Sequence, residues 1–186
     1  MATLREIKNR IDSVKSTQQI TKAMKMVAAA KLRKSQNNLL EMRPYSNNLF
    51  RITSRLAQLP ANKKHRFFAK STSKKTLFVL ITSDRGLCGS FNTNLIKAAI
   101  EEMNNYPGKS QLVTLGRKGF EFFTRRNYPV AGKYIDFFNK VSTGDANKIT
   151  RYLVDLYVQK KFDKIFIIYN EFQSIIHQNI VVKQFL

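Results

Sequence analysis

A single cysteine, Cys88, excludes an internal disulfide. Such sparing use of cysteine fits a reducing compartment. Acidic residues are scarce too: 12 against 33 Lys and Arg, for a formal net charge of +21. That imbalance calls for acidic partners, whether nucleic acid, anionic lipid or an acidic protein surface. No apolar run approaches 18 residues, which excludes a membrane-spanning helix. The first residues lack the apolar core of a signal peptide. Glu6 and Asp12, and the length of the segment, set them apart from a transit peptide. Paired carboxylates, an HExxH motif and metal-spaced His/Cys clusters are all missing. With only His65 and His177 as histidines, Cys88 has no evident base to make it a nucleophile, and reads as a structural or interface cysteine. His65 reads as a solvated loop residue. The sequence gives no positive case for an active site, a cofactor or a bound metal.

What is present falls into three parts: 1–59, 60–76 and 77–186. Glycine is absent from the first, and its one proline is Pro44. The spacing predicts a single long helix, roughly 90 Å if continuous, with a kink at Pro44. Leu4, Ile7, Ile11 and Val14 follow the 3-4-3 spacing of a coiled-coil seam. The seam is interrupted at Gln18, Thr21, Lys25 and Ala28. It turns apolar again at Leu32, Leu39, Met42, Leu49 and Leu56. Between these, apolar residues shift to Ile20, Met24 and Val27, beside the small residues Ala23, Ala28, Ala29 and Ala30. Twelve basic and three acidic residues give this helix a net charge of +9. Lys22, Lys25, Lys31, Arg33 and Lys34 gather around the alanine run, as an acidic collar would require. An ordinary amphipathic bundle helix is the plainer alternative, but the sequence supplies no partner helix for it.

Residues 60–76 form a basic linker with Lys63, Lys64, Arg66, Lys70, Lys74 and Lys75 and no acid. From Leu77 the pattern changes. Leu77–Thr82 is a continuous apolar run of strand length, as in a buried parallel sheet. A helix is predicted from a cap at Asn92 or Thr93 to about Asn104, ended by Tyr106, Pro107 and Gly108. Strand Gln111–Leu115, helix Arg117–Arg126, strand Val130–Ile135, helix Ala146–Lys160 and strand Lys164–Tyr169 follow. Ser174–Val182 reads as an antiparallel edge. This alternation predicts an α/β fold, Rossmann-like, with a mainly parallel sheet. The chain stops at Leu186 inside what reads as a strand, so a fragment of a longer protein is expected.

The loop Asp84–Asn92 lies after a strand and before a helix, where open α/β sheets bind ligands. It has neither GxxxxGK[ST] nor GxGxxG, and no lysine inside it to reach a phosphate. Asp84 and Arg85 are expected to fix the loop as a charge pair or to contact a partner. A basic helix and linker also satisfy the electrostatic footprint of a nucleic-acid binder. No aromatic strip with basic interleaving supports that reading, and it stands as the alternative.

Several segments resemble the γ subunit of the rotary F-type ATP synthases, the central stalk. They are Glu6–Ile11 leading into Ser13 and Val14, Thr17–Lys34, Ile81–Asn92 and the shorter Met42–Tyr45. The order fits that family along the whole chain. The resemblance implies a non-catalytic rotor subunit, ATP chemistry belonging to the β subunits. It implies that the first helix pairs with a C-terminal helix, absent here, inside a ring of α and β subunits. Met24, Lys25, Lys31, Arg33 and Lys34 fall in the segment facing an acidic part of β. The signature loop, with Asp84, Arg85, Gly86, Cys88, Gly89 and Asn92, is structural and interfacial in the family. The globular domain sits near the ε subunit and the membrane c-ring. The implied place is the cytoplasmic face of a bacterial plasma membrane, or the matrix face of an organelle. No inserted cysteine pair is present, so redox control of the chloroplast type is not expected. Nucleic acid is not an expected partner on this resemblance.

Overall fold

The computed structural model describes residues 3–59, 65, 67, 75–106, 108–136, 138, 142–174 and 177–186. The chain divides into two compact units, Met1–Lys64 and His65–Leu186. Lys63, Lys64, Arg66, Lys70 and Lys74 of the basic linker, and Pro107, lie outside the described residues.

The first unit is one helix, α1 (Leu4–Gln58). Its start is fixed by a reciprocal cap. Thr3 Oγ1 accepts from Glu6 N at 3.3 Å, and Thr3 N donates to Glu6 Oε2 at 2.8 Å. Its 55 residues, at about 1.5 Å each, give a rod of about 80 Å. Pro44 lies within the helix rather than at its end. None of its residues is buried. Leu4, Ile7, Ile11, Val14, Ile20, Met24 and Val27 all stand exposed.

The second unit is a five-stranded sheet with helices on both faces. Its elements are β1 (Thr76–Ile81), α2 (Phe91–Asn105), β2 (Ser110–Leu115), α3 (Arg117–Arg125), β3 (Val130–Tyr134), α4 (Thr143–Val158), β4 (Lys164–Phe172) and β5 (Gln178–Gln184). The strand order is β3-β2-β1-β4-β5. All pairings are parallel except β4 with β5. The mainly parallel α/β architecture is therefore the one expected. β1 is central and apolar on both faces, as a doubly covered strand must be. Leu77 and Val79 join Val113, Leu115 and Ile165 beneath Ile149, Leu153 and Leu156 of α4. Phe78 and Leu80 join Leu112, Phe166 and Ile168 beneath Leu95, Ile96 and Ala99 of α2 and Phe123 of α3.

Most predicted boundaries shift by one to four residues, the edge strand from Ser174–Val182 to Gln178–Gln184 among them, and two of the shifts have evident physical reasons. The cap of α2 is Ser90, not Asn92 or Thr93, and it makes no side-chain capping bond. Asn92 is drawn back to Ser83 instead, while Phe91 N bonds Cys88 O at 3.3 Å. β4 runs three residues past Tyr169 because Asn170, Glu171 and Phe172 pair with Ile180, Asn179 and Gln178. At the other end of that hairpin Ile165 N bonds Leu186 O at 2.9 Å. Thr76 pairs with Lys164, so Thr76 and Leu186 flank the same end of β4.

Candidate interaction surfaces

Two surfaces carry the predicted site residues. The first is the middle of α1. Met24, Lys25, Lys31, Arg33 and Lys34 are all exposed there. None of these four cations forms an ion pair among the described residues. Polar side chains on the same stretch turn inward to the helix. Thr17 Oγ1 donates to Ser13 O at 2.9 Å, and Thr21 Oγ1 to Thr17 O at 2.8 Å. What remains facing water is apolar surface, alanine and unpaired positive charge. A free-standing helix gains little from such a face, because its stability comes from a covered apolar stripe.

The second surface is the loop between β1 and α2. Ser83 and Asn92 close its base. Ser83 N donates to Asn92 Oδ1 at 3.0 Å, and Asn92 Nδ2 to Ser83 Oγ at 2.8 Å. Ser83 Oγ also donates to Arg85 O. Asp84 does not pair with Arg85, so of the two expectations for these residues the charge pair is not the one found. Its Oδ1 accepts two backbone amides, Arg117 N at 2.9 Å and Asp136 N at 3.0 Å. The carboxylate is better used there: it meets the first amide of α3, and Asp136 has a positive φ of 58°. Asp136 in turn holds Arg117 Nη2 at 2.6 Å. That hydrogen bond, then the Asp136 charge, raises the guanidinium pKa.

The strand end beneath the loop is packed closely. Buried Thr82 Oγ1 accepts from Gly119 N at 2.9 Å, and Lys118 N bonds Ser83 O at 3.1 Å. A Cβ at Gly116, whose φ is +103°, would run into the Thr82 carbonyl. Gly116 reads in the sequence as the turn into helix Arg117–Arg126, a sign of close approach after a buried strand, whereas Gly119 was not singled out.

Cys88 is exposed. Its Sγ meets Asn92 Nδ2 at 3.1 Å, Ser83 Oγ at 3.8 Å and Arg85 O at 3.9 Å. None of these is a base, so nothing in its contacts prepares a nucleophile. Beside the loop an open cleft of about 850 Å³ is edged by Ser90, Asn94, Asn170, Gln178 and Asn179. It lies at the β1/β4 switch point where α/β sheets bind ligands, yet no Lys, Arg or His lines it. No cluster of three or more His, Cys, Asp or Glu able to hold a metal occurs among the described residues. No helix among them is long and apolar enough to cross a membrane.

Arg85, Gly86, Cys88 and Gly89 thus share one exposed loop, with Asp84 and Asn92 half-buried at its base. The α1 cations belong to the other unit.

The family model described as ATP synthase matches residues 3–186. The ATP synthase gamma chain of Pelotomaculum thermopropionicum is 40% identical over 186 residues, covering 100% of this chain and 66% of that protein. The gamma chain of Chloroherpeton thalassium is 42% identical over 193 residues, covering 100% and 64%. The chain therefore spans slightly less than two thirds of the length of these relatives. Among solved structures, the central stalk and c-ring of the Tetrahymena thermophila mitochondrial ATP synthase matches with a TM-score of 0.70 at 28% identity. That match covers 90% of this chain and 72% of the other. The rotor of the Euglena gracilis enzyme shares the fold, with a TM-score of 0.59 at 18% identity over 97% and 61% of the two chains. The nucleic-acid alternative finds no support among these relatives. With a family match over residues 3–186 and gamma chains aligned to its full length, the chain belongs to the gamma-chain family of the ATP synthases.

Proposed function

We propose that this chain is the central-stalk rotor subunit of an F-type ATP synthase, coupling ion-driven rotation to ATP synthesis or hydrolysis in a surrounding α/β hexamer. One observation carries the reading. A 55-residue helix buries none of its residues and presents unpaired cations beside exposed apolar side chains. Such an element is completed by other polypeptides. A ring of subunits offering an acidic segment would meet Lys25, Lys31, Arg33 and Lys34, with Met24 and the alanine run as the sliding surface. A further helix of the same subunit would cover the Leu4, Ile7, Ile11 and Val14 seam. The α/β unit would face the ε subunit and the membrane c-ring, with the signature loop Asp84–Asn92 as an interface. The assembly would lie peripherally on the cytoplasmic face of a plasma membrane or the equivalent matrix face.

The mechanism is that of a cam. An asymmetric shaft offers a different face to each of three β subunits, and each face favours a different nucleotide state, so that rotation shifts their populations. ATP chemistry belongs to β, and the chain alone hydrolyses nothing.

The test is reconstitution with the α and β subunits of the same source, read by native mass spectrometry with ATPase assayed alongside. One copy per three αβ pairs is the expected result. Absence of any complex, with the full-length subunit as well, would overturn the reading.

A further inference from the structure

We infer that the end of the sheet where its parallel strands begin is a docking surface for anionic phospholipid headgroups. The inference goes beyond the central-stalk reading, which brings a membrane nearby and names no lipid contact, and its test needs no other subunit.

The strand register builds the surface. Thr76, the first residue of β1, pairs with Ser110 on one side and with Lys164 on the other. Lys75 and Lys109 immediately precede β1 and β2, and Thr76 N bonds Lys109 O at 3.3 Å. Lysines therefore stand side by side at the start of adjacent strands, about 4.8 Å apart. The turn from α4 into β4 brings Lys160 and Lys161 to the same end. All of these are exposed except Lys164, which is half-buried. Its Nζ lies 5.8 Å from the centre of the Tyr106 ring.

Charge is distributed unevenly between the two ends of the sheet. Where the strands finish, cations are paired: Arg117 with Asp136, Lys118 with Glu121 and Lys148 with Asp145. Where the strands begin, Lys75, Lys109, Lys160, Lys161 and Lys164 form no ion pair among the described residues. Asp163, the acid within this cluster, is turned to the backbone, its Oδ2 accepting from Lys75 N at 3.4 Å. Glu101, Glu102 and Asp155, on the last turns of α2 and α4, form no ion pair with these lysines either.

The residue types favour lipid over an acidic protein. Lysine is a point charge on a flexible stem and suits a fluid layer of phosphates, whereas fixed carboxylates on a protein are matched best by the arginine fork. A protein partner would also call for a shaped wall, and the open clefts beside the β1–α2 loop and between α3 and β3 are edged by other residues. Tyr106 adds an apolar ring with a polar tip beside Lys164, the kind of side chain that settles at a membrane–water boundary. Each lysine held near an anionic leaflet adds about fivefold in affinity.

The experiment uses the full-length subunit and phosphatidylcholine vesicles with and without phosphatidylglycerol, read by co-sedimentation. Wild type is compared with Lys75→Gln/Lys109→Gln/Lys161→Gln. A second variant, Lys8→Gln/Lys15→Gln/Arg51→Gln, removes the same charge from α1. Wild type is expected to bind only the anionic vesicles, the first variant about a hundredfold more weakly, and the second within about threefold of wild type. Equal losses in the two variants would reduce the binding to overall charge and overturn the proposal. Wild-type affinity in the first variant overturns it as well, and so does failure of the wild type to bind anionic vesicles; each of these leaves the stalk reading standing. A first variant that keeps its vesicle binding and loses polyglutamate binding assigns the surface to an acidic protein and likewise overturns it. Should that variant fail to fold, amide hydrogen exchange of the wild type over residues 160–164 decides: slowing on anionic vesicles is expected, and unchanged exchange overturns the proposal.

Discussion

Asp84 ties together three parts of the sheet's upper end. It leaves β1 and receives the first amide of α3 and the amide of Asp136 beyond β3. Replacing it with Ala leaves two amides without their acceptor, so Asp84→Ala is expected to cost about 1–3 kcal/mol. Asp84→Asn, which keeps an oxygen, should cost less; urea midpoints of the two variants check this. A second carboxylate gives a pH signature. Asp145 accepts from Ser142 Oγ at 2.6 Å, at the start of α4. That hydrogen bond, outweighing desolvation, lowers its pKa below 3.8. The contribution is fully present above the unfolded value, near pH 4, and is lost as pH falls through the lower folded one. Asp145→Asn should therefore flatten the acid limb of a midpoint-against-pH curve and leave its neutral plateau sloping as before. The role of Asp84 was hidden in the sequence for one reason. A carboxylate's partner here is a backbone amide 33 or 52 residues away, and no spacing rule reports such a pairing. The charge pair read for Asp84 and Arg85 was the local guess that this tertiary demand displaced.

Elements were more legible than residues. The glycine-free first segment, the apolar run from Leu77 and the strand–helix alternation each follow from period and composition, and they gave the α/β fold. Boundaries moved where a side chain chose a tertiary partner, as Asn92 did, or where a hairpin partner extended a strand, as β5 did for β4. Pro44 tests how much α1 depends on its own sequence. It removes an amide from the helix interior, and proline there is about 3 kcal/mol less favourable than alanine. Pro44→Ala is expected to raise the helical circular-dichroism signal of the chain and slow amide exchange in the turns around it. No change in either would mean that the position is held by something other than the backbone's own bonding.

At the scale of the molecule, charge is the organising quantity. A net +21 leaves most cations without an acidic partner in the same chain, and the ion pairs Arg117–Asp136, Lys118–Glu121 and Lys148–Asp145 all lie in the α/β unit. The α1 cations are exposed, and single exposed pairs are worth only about 0–1 kcal/mol. Lys31→Ala, Arg33→Ala or Lys34→Ala alone should weaken coupling of ATP hydrolysis to rotation modestly, and the triple variant more, with an effect that fades at high salt. A fully coupled triple variant would remove the electrostatic part of the proposal. The candidate surfaces themselves were readable as a lopsided charge and a loop at a strand end. The α/β unit also has a mechanical character, set by Thr76 and Leu186 lying at one end of β4. Tension applied between those two points would not shear the sheet. It would peel β5 from β4 one bond at a time, starting at the Leu186–Ile165 bonds. The sheet therefore resists a pull between Thr76 and Leu186 less than one that would slide its strands past one another.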